Sequence, residues 1–217
     1  MIDIETITGA IFDVDGTLLD SMPAWDNVAS DYLKSRGKTP RPGLNDEMRA
    51  LGGHEIPQYF QTEYGITVSE AEIRASINDL LQDFYSHTAP LKAGVLDVLD
   101  FFRSCGIKMC VATASGRHLI EPALRRCGVL EYFGRIFTCD EEITSKRCPD
   151  IYLRAAGFLG TNVRGTLVFE DALYAIKTVK NAGFPVVAVY DLSADDQQDE
   201  IKGLCDMYLK SFEDSSF

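Results

Sequence analysis

The sequence predicts an α/β fold, a doubly wound parallel sheet interrupted by an all-helical insertion. From residue 90 onwards, short apolar runs alternate with helical patterns, as in parallel strands joined by right-handed crossovers. One apolar run, residues 8–12, stands alone before a stretch of helical periodicity that extends from 20 to 88. Polar residues follow several of the apolar runs, where open α/β sheets bind ligands. These patterns indicate a Rossmann-like sheet, and we assign 1–19 and 89–217 to the core domain and 20–88 to the helical insertion.

The composition restricts the class of protein and its partners. The chain has 217 residues, of which 46% are hydrophobic and 25% are charged, as in an ordinary globular protein. A net charge of −12 without a basic tract argues against nucleic acid as the main partner. The absence of an apolar run of spanning length, together with an acidic start, argues against a membrane partner and a secretion signal. Six scattered cysteines without a Cys-x-x-Cys pair predict reduced thiols and a cytoplasmic location. A monomer is compatible with the sequence, which leaves the oligomeric state undetermined.

Helices are predicted in the insertion wherever apolar residues recur every three or four positions. They cover about 21–36, 44–51, 56–64 and a fourth segment opened by Ser69, an N-cap residue followed by acids. In the second half of the chain, the predicted strands are 107–113, 135–139, 166–169, 185–190 and 207–209. The helices predicted between them are 95–104, 117–127, 149–157, 172–182 and a short one within 191–199.

Two carboxylates follow the first strand at once. Asp13 and Asp15 are two residues apart, and Gly16 and Thr17 turn the chain directly afterwards. The simplest interpretation is a turn rich in Asp and Gly. However, carboxylates buried without partners are costly, and a divalent cation with hydrogen-bond donors would remove that cost. This stretch therefore predicts an acidic site at the carboxyl end of the sheet.

Further polar residues follow other predicted elements in a fixed order. Thr113, Ala114 and Ser115 end the second strand, Lys146 stands before a helix, and Glu170 with Asp171 ends a later strand. With Asp-Val-Asp-Gly-Thr, these motifs resemble those of the haloacid dehalogenase superfamily. The run Asp-Gly-Thr-Leu-Leu-Asp-Ser is similar to its branch with a helical cap, which includes phosphoglycolate phosphatases and β-phosphoglucomutases. The resemblance covers nearly the whole chain and implies that the insertion is a cap that closes over the active site and selects the substrate.

The resemblance implies a Mg²⁺-dependent phosphatase that acts through an aspartyl-phosphate. Asp13 is the expected nucleophile, because a carboxylate that accepts the phosphoryl group divides one hard displacement into two easier ones. Asp15 is expected to protonate the leaving oxygen and then activate water. The expected Mg²⁺ ligands are Asp13, Asp171 and the backbone carbonyl of Asp15, with Glu170 beside them or bound through water.

Further residues are expected to hold the phosphate and the rest of the substrate. Lys146 supplies positive charge, and the Thr113 hydroxyl and Ala114 amide supply hydrogen-bond donors. Candidates for contact with the substrate, in addition to the amide donor, are Ser115, Arg117, Gly53 and His54. The expected partner is a small phosphorylated metabolite.

The cap sequence leaves alternative functions open. Compared without gaps, Trp25 stands where β-phosphoglucomutases carry a cap histidine, and Glu55 stands where they carry a cap arginine. A carboxylate there would repel a second phosphate, which disfavours a hexose-phosphate mutase. Together with Arg49, His54 and Tyr59, these residues are expected near the cleft between cap and core. A non-catalytic phosphate- or partner-binding protein on the same fold is the alternative from another class, and intact Asp13 and Asp15 argue against it.

Overall fold

The computed structural model describes residues 2–50, 55–215 and 217, except the side chains of Asp46, Arg49 and Ala50. The chain forms two compact units. One consists of Met1–Met22 with Ala89–Phe217, and the other of Pro23–Thr88. We call them the core unit and the helical unit.

The core unit contains a six-stranded parallel sheet, which confirms the predicted doubly wound fold. Its strands are β1 (Gly9–Phe12), β2 (Lys108–Thr113), β3 (Ile136–Thr138), β4 (Thr166–Glu170), β5 (Val186–Val189) and β6 (Met207–Leu209). Their order across the sheet is β3-β2-β1-β4-β5-β6. The connections change direction between β1 and β4, and ligands bind at such a switch point, beyond the carboxyl ends of the strands.

Helices in the described residues alternate with the strands of the core unit and make up the helical unit. The helical unit has α1 (Met22–Ser35), α2 (Leu44–Ala50), α3 (Ile56–Tyr64) and α4 (Glu70–His87). In the core unit they are α5 (Val95–Ser104), α6 (Arg117–Arg126), α7 (Cys139–Glu142), α8 (Asp150–Leu159), α9 (Leu173–Asn181) and α10 (Gln198–Leu204). No helix in the described part of the chain is both long and apolar enough to cross a bilayer.

Both faces of the sheet are covered, which explains the nearly continuous apolar runs of its strands. On one face, Ile11 packs in a cluster that includes residues of α8 and α9. On the other, the rings of Phe12 and Phe169 stack with centroids 4.3 Å apart, and Phe102 of α5 lies against both. Burying each such ring stabilises the fold by about 1.5–3 kcal/mol. The packing holds β1 and β4, the two strands on either side of the switch point, firmly together.

The helical unit has an apolar core of its own. The rings of Tyr32 from α1 and Phe60 from α3 stack 5.2 Å apart, and Ile73 of α4 is fully buried in the same cluster. Ser69 is the N-cap residue of α4, as predicted, and it forms a capping box with Glu72.

Several predicted element boundaries differ from the structure, since α10 runs from Gln198 to Leu204, beyond the short helix predicted within 191–199. Two further differences have a clear local cause. The prediction ended α8 at Gly157, but the helix continues to Leu159 and ends at Gly160, whose φ of 72° suits a left-handed cap. The prediction also placed Cys139 in β3. Cys139 instead begins α7, because the Thr138 side chain accepts a hydrogen bond from the Glu141 amide and caps the helix.

Candidate active site

Asp13 and Lys146 form a buried ion pair beyond the carboxyl end of β1. The amide of Asp13 donates to the carbonyl of Phe169, so the residue continues the pairing of β1 with β4. Its carboxylate contacts the ammonium of Lys146, which also lies 2.6 Å from Oε1 of Glu170. Burial lowers the pKa of Lys146, but the two carboxylates outweigh it and raise the pKa overall. Lys146 therefore stays protonated and neutralises part of the acidic site.

Three buried carboxylates converge at the switch point. Asp13, Glu170 and Asp171 each offer an oxygen within 4.8 Å of the others. Burial raises the pKa of Asp13 well above its ordinary value, with Lys146 opposing the shift. For Asp171, burial first and Glu170 second raise the pKa to about 7. With all three carboxylates ionised, the site would hold more negative charge than Lys146 balances, and the raised pKa values reflect that cost.

This group of oxygens fits a hard divalent cation. Oε2 of Glu170 is buried and has no hydrogen-bond partner in the described structure. Such an atom is costly in a protein interior unless a ligand satisfies it. Carboxylate oxygens are the ligands that Mg²⁺ prefers. Asp13, Glu170 and Asp171 are therefore the residues here that could hold the ion.

Gly16 allows the loop after β1 to approach Asp171. Its φ is +77°, and a Cβ at this position would lie 2.8 Å from Cγ of Asp171. The next residue, Thr17, is fully buried and donates its hydroxyl to Oδ1 of Asp171 at 3.3 Å. The predicted turn after Asp15 therefore has a steric reason as well as a conformational one.

Asp15 lies between two serine hydroxyls. Ser21 donates to Oδ1 at 2.7 Å, and Ser115 donates to Oδ2 at 2.5 Å. The amide of Ser115 in turn donates to the hydroxyl oxygen of buried Thr113 at 3.1 Å. The segment after β2, which the sequence placed beside a substrate, thus also orients the side chain of Asp15.

Ala114 and Arg117 are the next predicted substrate contacts, and the structure shows different surroundings for each. Ala114 is exposed, and its contact with phosphate stays a prediction. Arg117 begins α6 and donates to both carboxylate oxygens of Glu141, at 2.6 and 2.7 Å, and to the carbonyl of Ile136. It thereby ties α6 to the segment around β3 and lines a cavity of about 770 Å³ in the core unit.

Gly53 and His54 lie outside the described residues, as does the side chain of Arg49. Within the helical unit, Trp25 donates from its indole to the hydroxyl of Tyr85 at 2.7 Å. Glu55 comes immediately before α3. The expected contacts of these residues with a substrate stay predictions.

Besides Thr17 and Ser21, two residues of the site escaped the sequence analysis. Tyr152 of α8 donates its buried hydroxyl to Oε1 of Glu170 at 2.7 Å. Burial, and then Glu170, raises the pKa of Tyr152 well above its ordinary value. In the sequence this tyrosine has only the helical spacing of a core residue, and the single signal available was its place in the helix that follows Lys146.

Lys92 is the second residue that the sequence did not reveal. Its amide donates to the carbonyl of Leu18, and its ammonium contacts Asp191 at 2.8 Å and the carbonyl of Tyr190 at 2.6 Å. It thus connects the loop after β1 with the end of β5. A lysine after a proline in a linker carries no motif, so only the fold identifies it.

Comparisons with known proteins identify the family of the chain. Residues 7–183 match the family described as haloacid dehalogenase-like hydrolase. The chain is 30% identical over 198 residues to (DL)-glycerol-3-phosphatase 1, mitochondrial, of Arabidopsis thaliana, which covers 88% of this chain and 66% of that protein. It is also 30% identical to phosphoglycolate phosphatase of Rhodobacter capsulatus, over 82% of this chain and 81% of that protein.

The fold has close counterparts among solved structures. A Thermotoga maritima protein provisionally assigned as a β-phosphoglucomutase superposes with a TM-score of 0.84 and 24% sequence identity. The superposition covers 95% of this chain and 96% of the other. At this identity, the likeness establishes the fold alone.

Proposed function

We propose that this chain, which belongs to the haloacid dehalogenase-like hydrolases, is a phosphatase of that family. It hydrolyses the phosphomonoester of a small soluble metabolite through Mg²⁺ and an aspartyl-phosphate. The observation that carries the proposal is the convergence of Asp13, Glu170 and Asp171 around an unpartnered carboxylate oxygen, with Lys146 as the balancing charge. A protein that only bound phosphate would have no use for so costly a cluster of acids.

Asp13 is the nucleophile in this proposal. Its carboxylate oxygen attacks phosphorus, a new P–O bond forms, and the bond from phosphorus to the substrate oxygen breaks with its electron pair leaving on that oxygen. When bound, Mg²⁺ supplies charge neutralisation between the attacking carboxylate and the phosphate. Lys146 adds a fixed positive charge beside Asp13, and this lowers the repulsion that an anionic substrate meets. Asp13, Asp171 and Glu170 would hold the ion through their side chains, and Asp15 through its backbone carbonyl.

Asp15 is the acid and base of the two half-reactions. In the first it gives a proton to the leaving oxygen. In the second it takes a proton from the water that attacks phosphorus, the bond from phosphorus to the Asp13 oxygen breaks, and inorganic phosphate leaves with the Asp13 carboxylate restored. The serine hydroxyls at 2.7 and 2.5 Å support this assignment, because they fix the carboxylate direction. The hydroxyl of Thr113 and the amide of Ala114 are proposed as donors to the phosphate oxygens, and Ser115 and Arg117 as neighbours of the rest of the substrate.

The helical unit is proposed to act as the cap that selects the substrate. Phosphatases of glycerol 3-phosphate and phosphoglycolate among the relatives support a small, polar phosphomonoester. Trp25 and Glu55 offer no cation for a second phosphate, and this favours a hydrolase over a hexose-phosphate mutase. We place Gly53 and His54 among the candidate substrate contacts of this unit. A cytoplasmic location, inferred from six free cysteines, belongs to the proposal as well.

The test is hydrolysis of a generic aryl phosphate, followed by a panel of phosphorylated metabolites. We expect phosphate release that stops after chelation and returns with Mg²⁺ far better than with Ca²⁺. Ca²⁺ takes more ligands in a looser geometry, which would disturb in-line attack. Full activity after exhaustive chelation would contradict the metal assignment.

A second experiment separates a hydrolase from a hexose-phosphate mutase. A coupled glucose 6-phosphate assay on β-glucose 1-phosphate is run beside a phosphate-release assay, with a bisphosphate primer present. Isomerisation faster than phosphate release would identify a mutase.

A further inference from the structure

The two oxygens of Glu170 have sharply different surroundings. Oε1 accepts hydrogen bonds from Lys146 at 2.6 Å and from Tyr152 at 2.7 Å. Oε2 has no hydrogen-bond partner in the described residues, although the side chain is fully buried. A carboxylate oxygen that accepts hydrogen bonds from two strong donors has its hydrogen-bonding capacity filled by the protein. The other oxygen is thereby left for a ligand.

The two donors to Oε1 are not equivalent. Lys146 is shared, because its ammonium contacts Asp13 as well as Oε1 of Glu170. The hydroxyl of Tyr152, by contrast, donates to Glu170 alone among the described residues. Its ring is fully buried in the apolar cluster beneath the sheet, with the Phe184 ring 6.5 Å away. The phenol is therefore a fixed donor that sets the rotation of the Glu170 carboxylate.

We propose that Tyr152 is a positioning residue for the cation site, and that its hydroxyl holds Oε1 of Glu170 so that Oε2 is presented to the ion together with Asp13 and Asp171. The inference rests on the proposed function and extends it to a residue outside the motifs. Residues that hydrogen-bond to a metal-ligating side chain govern metal affinity, because a carboxylate without such a bond must be ordered when the ion binds. Without the hydroxyl, Lys146 alone would hold Oε1, and the carboxylate could turn with it.

The test is Tyr152→Phe, which keeps the ring in its apolar cluster and removes only the hydroxyl. The matched control is Tyr208→Phe, since the Tyr208 hydroxyl donates to Oε1 of Gln198 at 2.8 Å in the same unit. Mg²⁺ affinity is measured by isothermal titration calorimetry and by the rise in Tm with added Mg²⁺. We expect Tyr152→Phe to weaken Mg²⁺ binding about tenfold or more. Tyr208→Phe should leave both the Mg²⁺ affinity and the activity unchanged.

A second comparison asks whether Tyr152 acts through Glu170. In a Glu170→Ala background, adding Tyr152→Phe should have no further effect on Mg²⁺ affinity. Equal Mg²⁺ affinity in wild type and Tyr152→Phe would overturn the inference, and so would an equal loss in the Tyr208→Phe control or an undiminished loss in the Glu170→Ala background. A wild-type protein that does not bind Mg²⁺ would overturn it together with the metal assignment. Mg²⁺ binding with the expected Tyr152 effect but no phosphatase activity would support the inference and refute the proposed function alone.

Discussion

Ser115 donates its hydroxyl to Oδ2 of Asp15 at 2.5 Å, across 100 positions of sequence. The bond joins the loop after β2 to the loop after β1. Together with Ser21, which donates to the other oxygen, it fixes the direction of a side chain that we assign to proton transfer. An acid or base must lie within hydrogen-bond reach of the reacting oxygen, so its orientation should matter as much as its presence.

Ser115→Ala tests this orientation. We expect kcat to fall about tenfold or more, because a restraint on a general acid–base group is lost and such groups contribute about 10²–10⁴-fold. KM should change much less. The steady-state assay uses an aryl phosphate with a poor leaving group, which depends on protonation. Ser104→Ala is the control, because that exposed hydroxyl donates only to the carbonyl of Phe101 in α5. Equal kcat values for Ser115→Ala and the control would contradict the orienting role.

Asp13→Asn should abolish turnover and leave the fold intact, since the shape is kept and the attacking charge is lost. Asp15→Asn should instead slow both protonation of the leaving group and hydrolysis of the intermediate. Rapid quenching with a radiolabelled substrate distinguishes the two, because only Asp15→Asn should still accumulate labelled protein. Near-normal hydrolysis by Asp13→Asn would refute the covalent mechanism.

The Mg²⁺ stabilisation of the protein should increase with pH. The pKa of Asp171 is raised from 3.8 to about 7, so the folded metal-free protein binds this proton more tightly than the unfolded chain does. Its contribution to stability is complete below the unfolded pKa and is lost as the pH rises through about 7. Mg²⁺ requires the ionised form. Between about pH 6 and about pH 8, the ionisation of Asp171 alone should therefore raise Mg²⁺ affinity on the order of tenfold, and the raised pKa of Asp13 acts in the same direction.

This pH dependence is measured as the Mg²⁺-induced shift in Tm at the two pH values. Asp171→Asn is the matched variant, because the amide cannot ionise. In this variant the Mg²⁺-induced shift in Tm should be small, and it should no longer carry the part of the pH dependence that comes from this residue. An identical Mg²⁺ effect at both pH values in the wild type would show that Asp171 is already ionised without metal.

Gly16→Ala should damage the site more than the fold. The substitution forces a Cβ into a left-handed conformation, at a cost of about 1–2 kcal/mol. It also presses against Asp171, whose Cγ would be 2.8 Å from the new atom. Gly106→Ala is the control, since Gly106 has a φ of +72° with open space around it. Chemical denaturation should show both variants destabilised, Gly16→Ala more so. Only Gly16→Ala should lose Mg²⁺ binding, and an equal Mg²⁺ affinity in the two variants would count against close packing at Asp171.

The sequence by itself determined the fold class and the residues of the acidic cluster. Apolar periodicity is a local property, and a strand buried on both faces can hardly be anything but apolar, so β1, β2 and β4 were evident with their carboxyl ends. Because parallel strands end at the same edge of a sheet, the acids after β1 and β4 had to meet once the topology was known. Asp13, Glu170 and Asp171 therefore follow from sequence and general rules of sheet construction.

Only the tertiary structure decided which side chains hold these acids in place. The contacts from Ser115 to Asp15 and from Tyr152 to Glu170 depend on the direction of each side chain after packing, and neither residue type marks that direction in a sequence. Tyr152 has the spacing of a core residue, and it is one, with a ring buried in the apolar cluster. Its hydroxyl nevertheless reaches a carboxylate, since a buried phenol must find an acceptor, and the fold supplies Glu170 as that acceptor.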